Sequence, residues 1–352
     1  MNTEKTMPER PAFLTDLSLS QAEELMASLG EPAYRAKTLL RWVYQRRASS
    51  YDAMSDLPKA LRDKLTEKLC LSSVVEASVQ ESKDGTVKAL LLLWDGRTIE
   101  TALMPSAKGQ FTVCVSSQVG CATGCPFCAT GQQGYERNLG ASEICDQVLF
   151  FARRLGDEGS ISNIVFMGMG EPFANYLDVM AAVEHLNAPW GFGLGARNIT
   201  ISTAGHIPGI EKLSKEKLQV GLAVSLHASD NAVRNKLVPL NRKYPLEKLI
   251  PACAAYIEAT GRRVTFEYCL FAGVNDSIAH ARELSHLLRG LNYHVNLIAA
   301  NPTPVCSYQP SSKEAILAFE DELKRLKVPA TLRKSYGKDI SAACGQLKSR
   351  RG

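Results

Sequence analysis

Long apolar runs are missing from this chain. No hydrophobic stretch reaches the roughly 20 residues needed to cross a bilayer, and residues Met1 to Ala12 are polar and proline-interrupted, without the apolar centre of a secretion signal. Sequence repeats and low-complexity tracts are also absent, which argues against solenoid and largely disordered architectures. The expectation is a cytoplasmic protein without membrane contacts. There is little excess charge of either sign: 41 Lys+Arg minus 36 Asp+Glu leaves +5, a mild lean toward an anionic partner such as nucleic acid. The 352 residues that remain to be explained are 45% hydrophobic and 22% charged, enough for one large catalytic domain with a smaller appendage.

Three helical patterns come first. SLSQAEELMASLG has a Ser18 or Ser20 cap, an apolar face of Leu25, Met26 and Leu29, and a Gly30 stop. PAYRAKTLLRWVYQRR buries Leu39, Leu40 and Val43 and displays Arg35, Arg41, Arg46 and Arg47, and a third pattern runs from Lys59 to Leu69. Residues 1–73 therefore read as a small N-terminal helical domain. VKALLLLWDGRTIETALM comes next, two strand-like runs joined by Asp95-Gly96, so 74–106 reads as a linking β-hairpin. From 107 to 303, six β-rich runs alternate with helical stretches around 141–155, 174–187, 208–217, 230–258 and 278–290, which predicts an α/β fold with a parallel sheet, open or barrel-like. Residues 304–352 form an extension with a helix near 312–326 and an irregular tail, DISAACGQLKSRRG.

Ten cysteines without a secretion signal argue against a disulfide framework, because a reducing compartment leaves thiols free for metals or catalysis. Three are grouped in CATGCPFC, where Cys121, Cys125 and Cys128 are spaced Cys-x3-Cys-x2-Cys after the first core strand. A four-iron cluster normally takes four thiolates, so three leave one iron free to bind the amino and carboxylate groups of S-adenosylmethionine. A zinc site usually takes four closed ligands, often two Cys-x2-Cys pairs, and only one such pair is here. An electron-transfer cluster completed by a distant cysteine is the other alternative.

Polar residues recur at the ends of later strands, where barrels concentrate their chemistry. In MGMGEP, Gly168 and Gly170 permit close backbone approach and Glu171 can accept hydrogen bonds from an ammonium group. Ser202 in ISTAG, Ser225 and His227 in VSLH, and Asn301 in AANP can bind carboxylate, ribose or adenine, although each also suits a cap or turn.

With CVSSQVGCATGCPFCATGQQG, FMGMGEP, ISTAG, SLHA, NLIAANP and AACGQL in view, the sequence from about Glu31 to Leu347 resembles the dual-specificity RNA methyltransferases that methylate carbon 2 of adenosine. The resemblance implies a radical SAM partial (β/α)6 TIM-like barrel, one 4Fe-4S cluster on Cys121, Cys125 and Cys128, and two S-adenosylmethionine molecules consumed per methylation. Gly170, Glu171, Ser202, Ser225, Leu226, His227 and Asn301 would contact that cofactor. The implied substrates are 23S rRNA and the adenosine beside the anticodon of tRNA, with flavodoxin or ferredoxin as electron donor and a monomeric chain. It also implies that Cys344 carries the methyl as S-methylcysteine, that Cys114 resolves the protein–RNA link through a transient disulfide, and that Glu100 accepts the carbon-2 proton. Pro172 favours carbon 2 over the related carbon-8 branch, and retention of Cys114 and Cys344 disfavours a non-catalytic RNA-binding protein. Cys70, Cys145, Cys253, Cys269 and Cys306 lack ligand spacing and read as core or incidental. Lys37, Trp42 and Tyr44, with Lys348, Arg350 and Arg351 of the tail, are candidates for following an RNA backbone.

Overall fold

The computed structural model describes residues 9–107, 109–301, 303 and 306–348; Arg350 and Arg351 lie outside them. The N-terminal segment forms α1 (Leu19–Ser28), α2 (Tyr34–Tyr44) and α3 (Lys59–Lys68). Ser18 caps α1 reciprocally with Gln21, satisfying two backbone donors at its start. Buried polar ties dock this segment on the rest of the chain, with Tyr44 Oη 3.3 Å from His185 Nδ1 and Thr15 Oγ1 donating to Asp146 at 3.2 Å.

The 87–104 hairpin is present as β2 (Val87–Leu93) and β3 (Thr98–Pro105), but a further strand, β1 (Val74–Glu81), pairs with it on the outer edge. β1 escapes the sequence pattern because most of its side chains are exposed and polar. Far from being a bare linker, the hairpin is hydrogen-bonded into the main sheet: β3 pairs antiparallel with β4 (Gln110–Cys114). A small ribbon of β5 (Gln118–Gly120) and β6 (Tyr135–Asn138) flanks the short α4 (Ala129–Gln133).

Six parallel strands then build the expected partial barrel: β4, β7 (Ser160–Phe166), β8 (Ile199–Thr203), β9 (Gly221–Ser225), β10 (Val264–Leu270) and β11 (Tyr293–Ala299). β12 (Ala330–Arg333) adds in parallel beside β11, so one open sheet of ten strands runs from β1 to β12. Covering helices are α5 (Ala141–Leu155), α6 (Tyr176–Asn187), α7 (Ile207–Leu213), α8 (Asn231–Leu237), α9 (Leu246–Thr260), α10 (Ile278–Leu287) and α11 (Lys313–Arg325). α5 matches its expected limits because its signals agree: Glu143 reaches back to the Gly140 amide at 2.9 Å, and Gly156 ends the helix at φ +52°. The stretch 230–258 is instead two helices, since Pro239 and Pro245 interrupt the run between α8 and α9. No helix among the described residues is long and apolar enough to cross a membrane.

Candidate active site

The sulfur trio sits on a loop that the backbone holds tightly. Gly120 (φ +75°) lets the chain pass against Gly134, whose carbonyl accepts from the Cys121 amide at 2.8 Å. Cys128 N donates to Cys125 O at 3.1 Å, and Gln132 Nε2 to the same carbonyl at 3.2 Å. Burial pushes the Cys121 thiol up to about 11, and burial with the neighbouring Cys128 and Cys121 sulfurs raises that of Cys125 well above its ordinary value. Thiolates there need positive charge beside them, which bound iron supplies.

One zinc ion would hold sulfurs about 3.8 Å apart, as Zn–S bonds of about 2.3 Å at tetrahedral angles require. Among the described residues, however, the only three metal-ligating groups within 4.8 Å of one another are Asp230, His280 and Glu283, which lie elsewhere. The three cysteine sulfurs therefore do not all lie within 4.8 Å of one another, a wider set than a single zinc ion holds.

Beside the trio, the strand ends enclose a cavity of about 160 Å³. Its walls include Gly168, Gly170 and Glu171 after β7, Ser202 on β8, Ser225 and His227 at the end of β9, and Asn301 after β11. These are strand-end residues that the sequence pattern singles out. Leu226 is expected at the cofactor as well, but its side chain is fully buried in the core and only its backbone serves the strand end, its amide donating to Glu267 O at 3.0 Å. The Glu171 carboxylate is buried and accepts from the Ala204 and Phe173 amides at 2.7 and 3.1 Å; burial raises its pKa against those bonds. His227 adopts φ +57°, unusual outside glycine, and its Nδ1 accepts from the Cys269 amide at 3.0 Å. Burial, with Arg234 adding to it, lowers the His227 pKa to about 3, so the ring is neutral with its proton on Nε2. Phe127, from the cysteine loop, packs edge-on against it with ring centres 5.1 Å apart. Asn301 lines the cavity, and its Oδ1 is buried with no hydrogen-bond partner among the described residues.

The tail brings Cys344 to this site. Ala129 N donates to Gly345 O at 2.7 Å, Thr130 Oγ1 to Leu347 O at 2.6 Å, and Lys88 Nζ to Ser341 O at 3.3 Å. Cys344 thereby stands on the wall of the large cavity and also of a smaller one, about 40 Å³, lined by Cys114, Met167, Arg333 and Tyr336 among others. Cys344 is reached by solvent, yet the protein enclosing it raises its thiol, with Arg333 pulling the other way. Burial pushes Cys114 up to about 12, with a smaller opposing pull from the same guanidinium.

Glu100, on β3, stands apart from the cavities. It is buried, paired with Lys88 at 3.0 Å and accepting from the Lys348 amide at 2.9 Å, and it lines neither cavity. Sequence patterns leave Arg333 and Glu267 unassigned and read Cys269 as core or incidental, yet all three stand on the walls. A glutamate within the otherwise apolar VTFEYCL strand is the available signal. Among the basic candidates, Arg35 pairs with Glu31 at 2.7 Å, Arg46 pairs with Asp56 at 2.8 Å and lies over Trp42, and Arg47 donates to the Ala152 carbonyl at 3.1 Å; Lys37 and Arg41 are exposed. Cys145 and Cys253 are buried in the core, Cys70 is exposed and Cys306 half-buried.

Three protein thiolates leave one iron of a four-iron cube without a protein ligand, and the adjoining cavity offers a carboxylate, hydroxyls and an amide to a zwitterionic cofactor. On a parallel partial barrel, that combination defines a radical S-adenosylmethionine enzyme. Comparison with known proteins agrees: the radical SAM superfamily model matches residues 115–284, and the model described as "Ribosomal RNA large subunit methyltransferase N-terminal domain" matches 13–71. The probable dual-specificity RNA methyltransferase RlmN of Staphylococcus aureus (strain bovine RF122 / ET3-1) is 48% identical over 335 residues, covering 95% of this chain and 92% of that protein. The same protein of strain JH9 gives the same figures. The crystal structure of a radical SAM methyltransferase from Sphaerobacter thermophilus superposes with a TM-score of 0.93 at 51% identity, over 96% of this chain and 99% of that one. The chain belongs to the RlmN family of dual-specificity RNA methyltransferases, and its class implies a 4Fe-4S cluster and S-adenosylmethionine.

Proposed function

We propose that this enzyme methylates carbon 2 of adenosine in 23S rRNA and in tRNA next to the anticodon, using Cys344 as methyl carrier and Cys114 as resolving thiol. The observation that carries this reading is the position of Cys344 on a wall common to both cavities, with Cys114 lining the smaller. When bound, the cluster supplies the electron that opens S-adenosylmethionine to a deoxyadenosyl radical. Cys121, Cys125 and Cys128 hold the cluster, while Glu171, Ser202, Ser225, His227 and Asn301 orient the cofactor.

Carbon 2 of adenine lies between two ring nitrogens and is electron-poor, so it does not attack a methylsulfonium; a carbon radical can add to it. Cys344 sulfur first takes a methyl from one S-adenosylmethionine. After loss of a hydrogen atom to the radical derived from a second, the methylene carbon bonds to carbon 2. Glu100 accepts the carbon-2 proton, which requires the Lys348 amide to release it. The Cys114 thiolate would then attack Cys344 sulfur: an S–S bond forms, the carbon–sulfur bond breaks, and the freed methylene takes a proton to become the methyl group. The unpaired electron left by the radical addition would return to the oxidised cluster, and the electron donor would reopen the disulfide. Two cofactors are consumed per methyl, with flavodoxin or ferredoxin as electron source, by a monomer in the cytoplasm.

Anaerobic reconstitution followed by nucleoside mass spectrometry of rRNA and tRNA fragments tests this. The expected product is 2-methyladenosine in both. Methyl at carbon 8 would overturn the regiochemistry, and no deoxyadenosine with S-adenosylmethionine and a reductant would overturn the reaction class.

A further inference from the structure

Arg234, on α8, is the largest fully buried side chain among the described residues. Its donors go only to neutral acceptors: Nε to Leu226 O at 3.1 Å, the two terminal nitrogens to Ala204 O at 2.8 Å, Ser225 O at 3.1 Å and Asn241 Oδ1 at 2.7 Å. Among the described residues no carboxylate lies within ion-pair distance of it. Taking an ion out of water without a partner costs several kcal/mol, and a neutral side chain could make ties to carbonyls without that cost. The position therefore calls for an anion.

The elements around Arg234 offer few. The β9 end brings His227, which is neutral, and α9 brings Cys253, whose thiol is pushed up to about 12 by burial and stays protonated. Two carboxylates stand nearby without pairing with it: Asp230 accepts from the Val233 amide at the start of α8, and Glu171 from the Ala204 and Phe173 amides. The other neighbour is the cysteine loop. Cys125 and Phe127 pack into the small apolar cluster that includes Leu237, Val238 and Val233 of the α8 region. Arg234 also stands directly behind the cofactor cavity: one terminal nitrogen donates to Ala204 O at 2.8 Å and Ser225 O at 3.1 Å, and both of those residues line the cavity with Cys121, Cys125 and Cys128.

We propose that Arg234 is a positioning residue for electron transfer: the buried counter-cation of the iron–sulfur cluster, raising the potential at which that cluster accepts its electron. This rests on the radical SAM assignment of the thiol trio. An oxidised four-iron core carries two positive charges and three cysteine thiolates carry three negative ones, so the assembly bears a net single negative charge. One electron from a low-potential donor makes it doubly negative; no bond breaks and no proton moves. A fixed nearby cation stabilises the doubly charged form more than the singly charged one, so it favours reduction. The same guanidinium ties the ends of β8 and β9, so it sets the cluster's charge environment and the placement of Ser202 and Ser225 together.

The test uses the full chain, reconstituted anaerobically with iron and sulfide, as wild type, Arg234→Gln and Arg234→Lys. Iron and sulfide content establishes that each carries a cluster, and potentiometric titration followed by electron paramagnetic resonance reads the midpoint. Arg234→Gln is expected to shift the midpoint to more negative potential, with a smaller reduced fraction at any fixed potential, while Arg234→Lys restores it toward wild type. An unshifted midpoint in a fully loaded Arg234→Gln protein overturns the proposal, as does an equal fall in both variants. Should Arg234→Gln fail to hold a cluster, Arg234→Lys decides alone: a wild-type midpoint supports the role and a fall refutes it. A wild-type protein that binds neither iron nor sulfide removes the underlying class assignment, and the proposal with it.

Discussion

In the proposed mechanism Cys344 carries the methyl and Cys114 ends the reaction, so the two differ in what is lost when each is removed. Cys344→Ala is expected to abolish methyl loading altogether, read by mass spectrometry of the intact protein after incubation with S-adenosylmethionine and reductant. Cys114→Ala should load normally and accumulate a covalent protein–RNA adduct on a denaturing gel. Free methylated RNA from Cys114→Ala at wild-type yield would show that another thiol resolves the link. Cys269, buried on the cavity wall and electrostatically coupled to Cys344, would be the first to examine. Burial raises its thiol as it raises that of Cys114.

The Cys344 tail has little regular structure, so its position depends on side-chain ties. Asp84 accepts from the Gly337 amide at 2.9 Å, Lys88 donates to Ser341 O, α4 holds Gly345 and Leu347, and Glu100 holds the Lys348 amide. Glu100→Gln leaves Lys88 buried without its counter-ion, a change worth about 3–5 kcal/mol for a buried pair. Hydrogen exchange of tail amides, Lys348 first, is expected to accelerate in that variant and methyl loading to fall. Unchanged protection would show that Glu100 does not clamp the tail. This arrangement is only partly legible in the sequence. The parallel strands, α5, the cysteine spacing and the polar strand ends can be read because periodicity and local spacing encode them. The burial of Glu100 and of Arg234 cannot: Glu100 meets the Lys348 amide 248 positions away, and Arg234 is held mostly by main-chain carbonyls, which carry no side-chain signature. β1 is hidden for a different reason, since an edge strand with exposed Glu76 and Gln80 lacks the alternation that marks a half-buried one.

The N-terminal helices and the barrel share one apolar core, and Asp146 of α5 sits at their seam, accepting from Thr15 Oγ1 and from the Ser73 amide and hydroxyl. Burial outweighs those bonds and raises its carboxyl to about 6. A carboxyl that ionises less readily folded than unfolded contributes its full stability below the ordinary value of 3.8 and loses it as pH rises through about 6. Between pH 4 and pH 7, wild type should therefore lose about 2 kcal/mol of unfolding stability relative to Asp146→Asn. Denaturant midpoints of the two proteins at both values provide the check, and parallel pH curves would count against the assignment. The partition between the two cavities has a consequence for turnover. Because Cys344 lines both chambers, a methyl carried on its sulfur would fill volume in one or the other. Loading thus changes the shape offered to the nucleotide before any RNA arrives, and a bare sulfur and a methylated one present two different receptors. RNA affinity measured with and without the methyl should separate accordingly, so charging with cofactor would set the order in which the substrates are taken up.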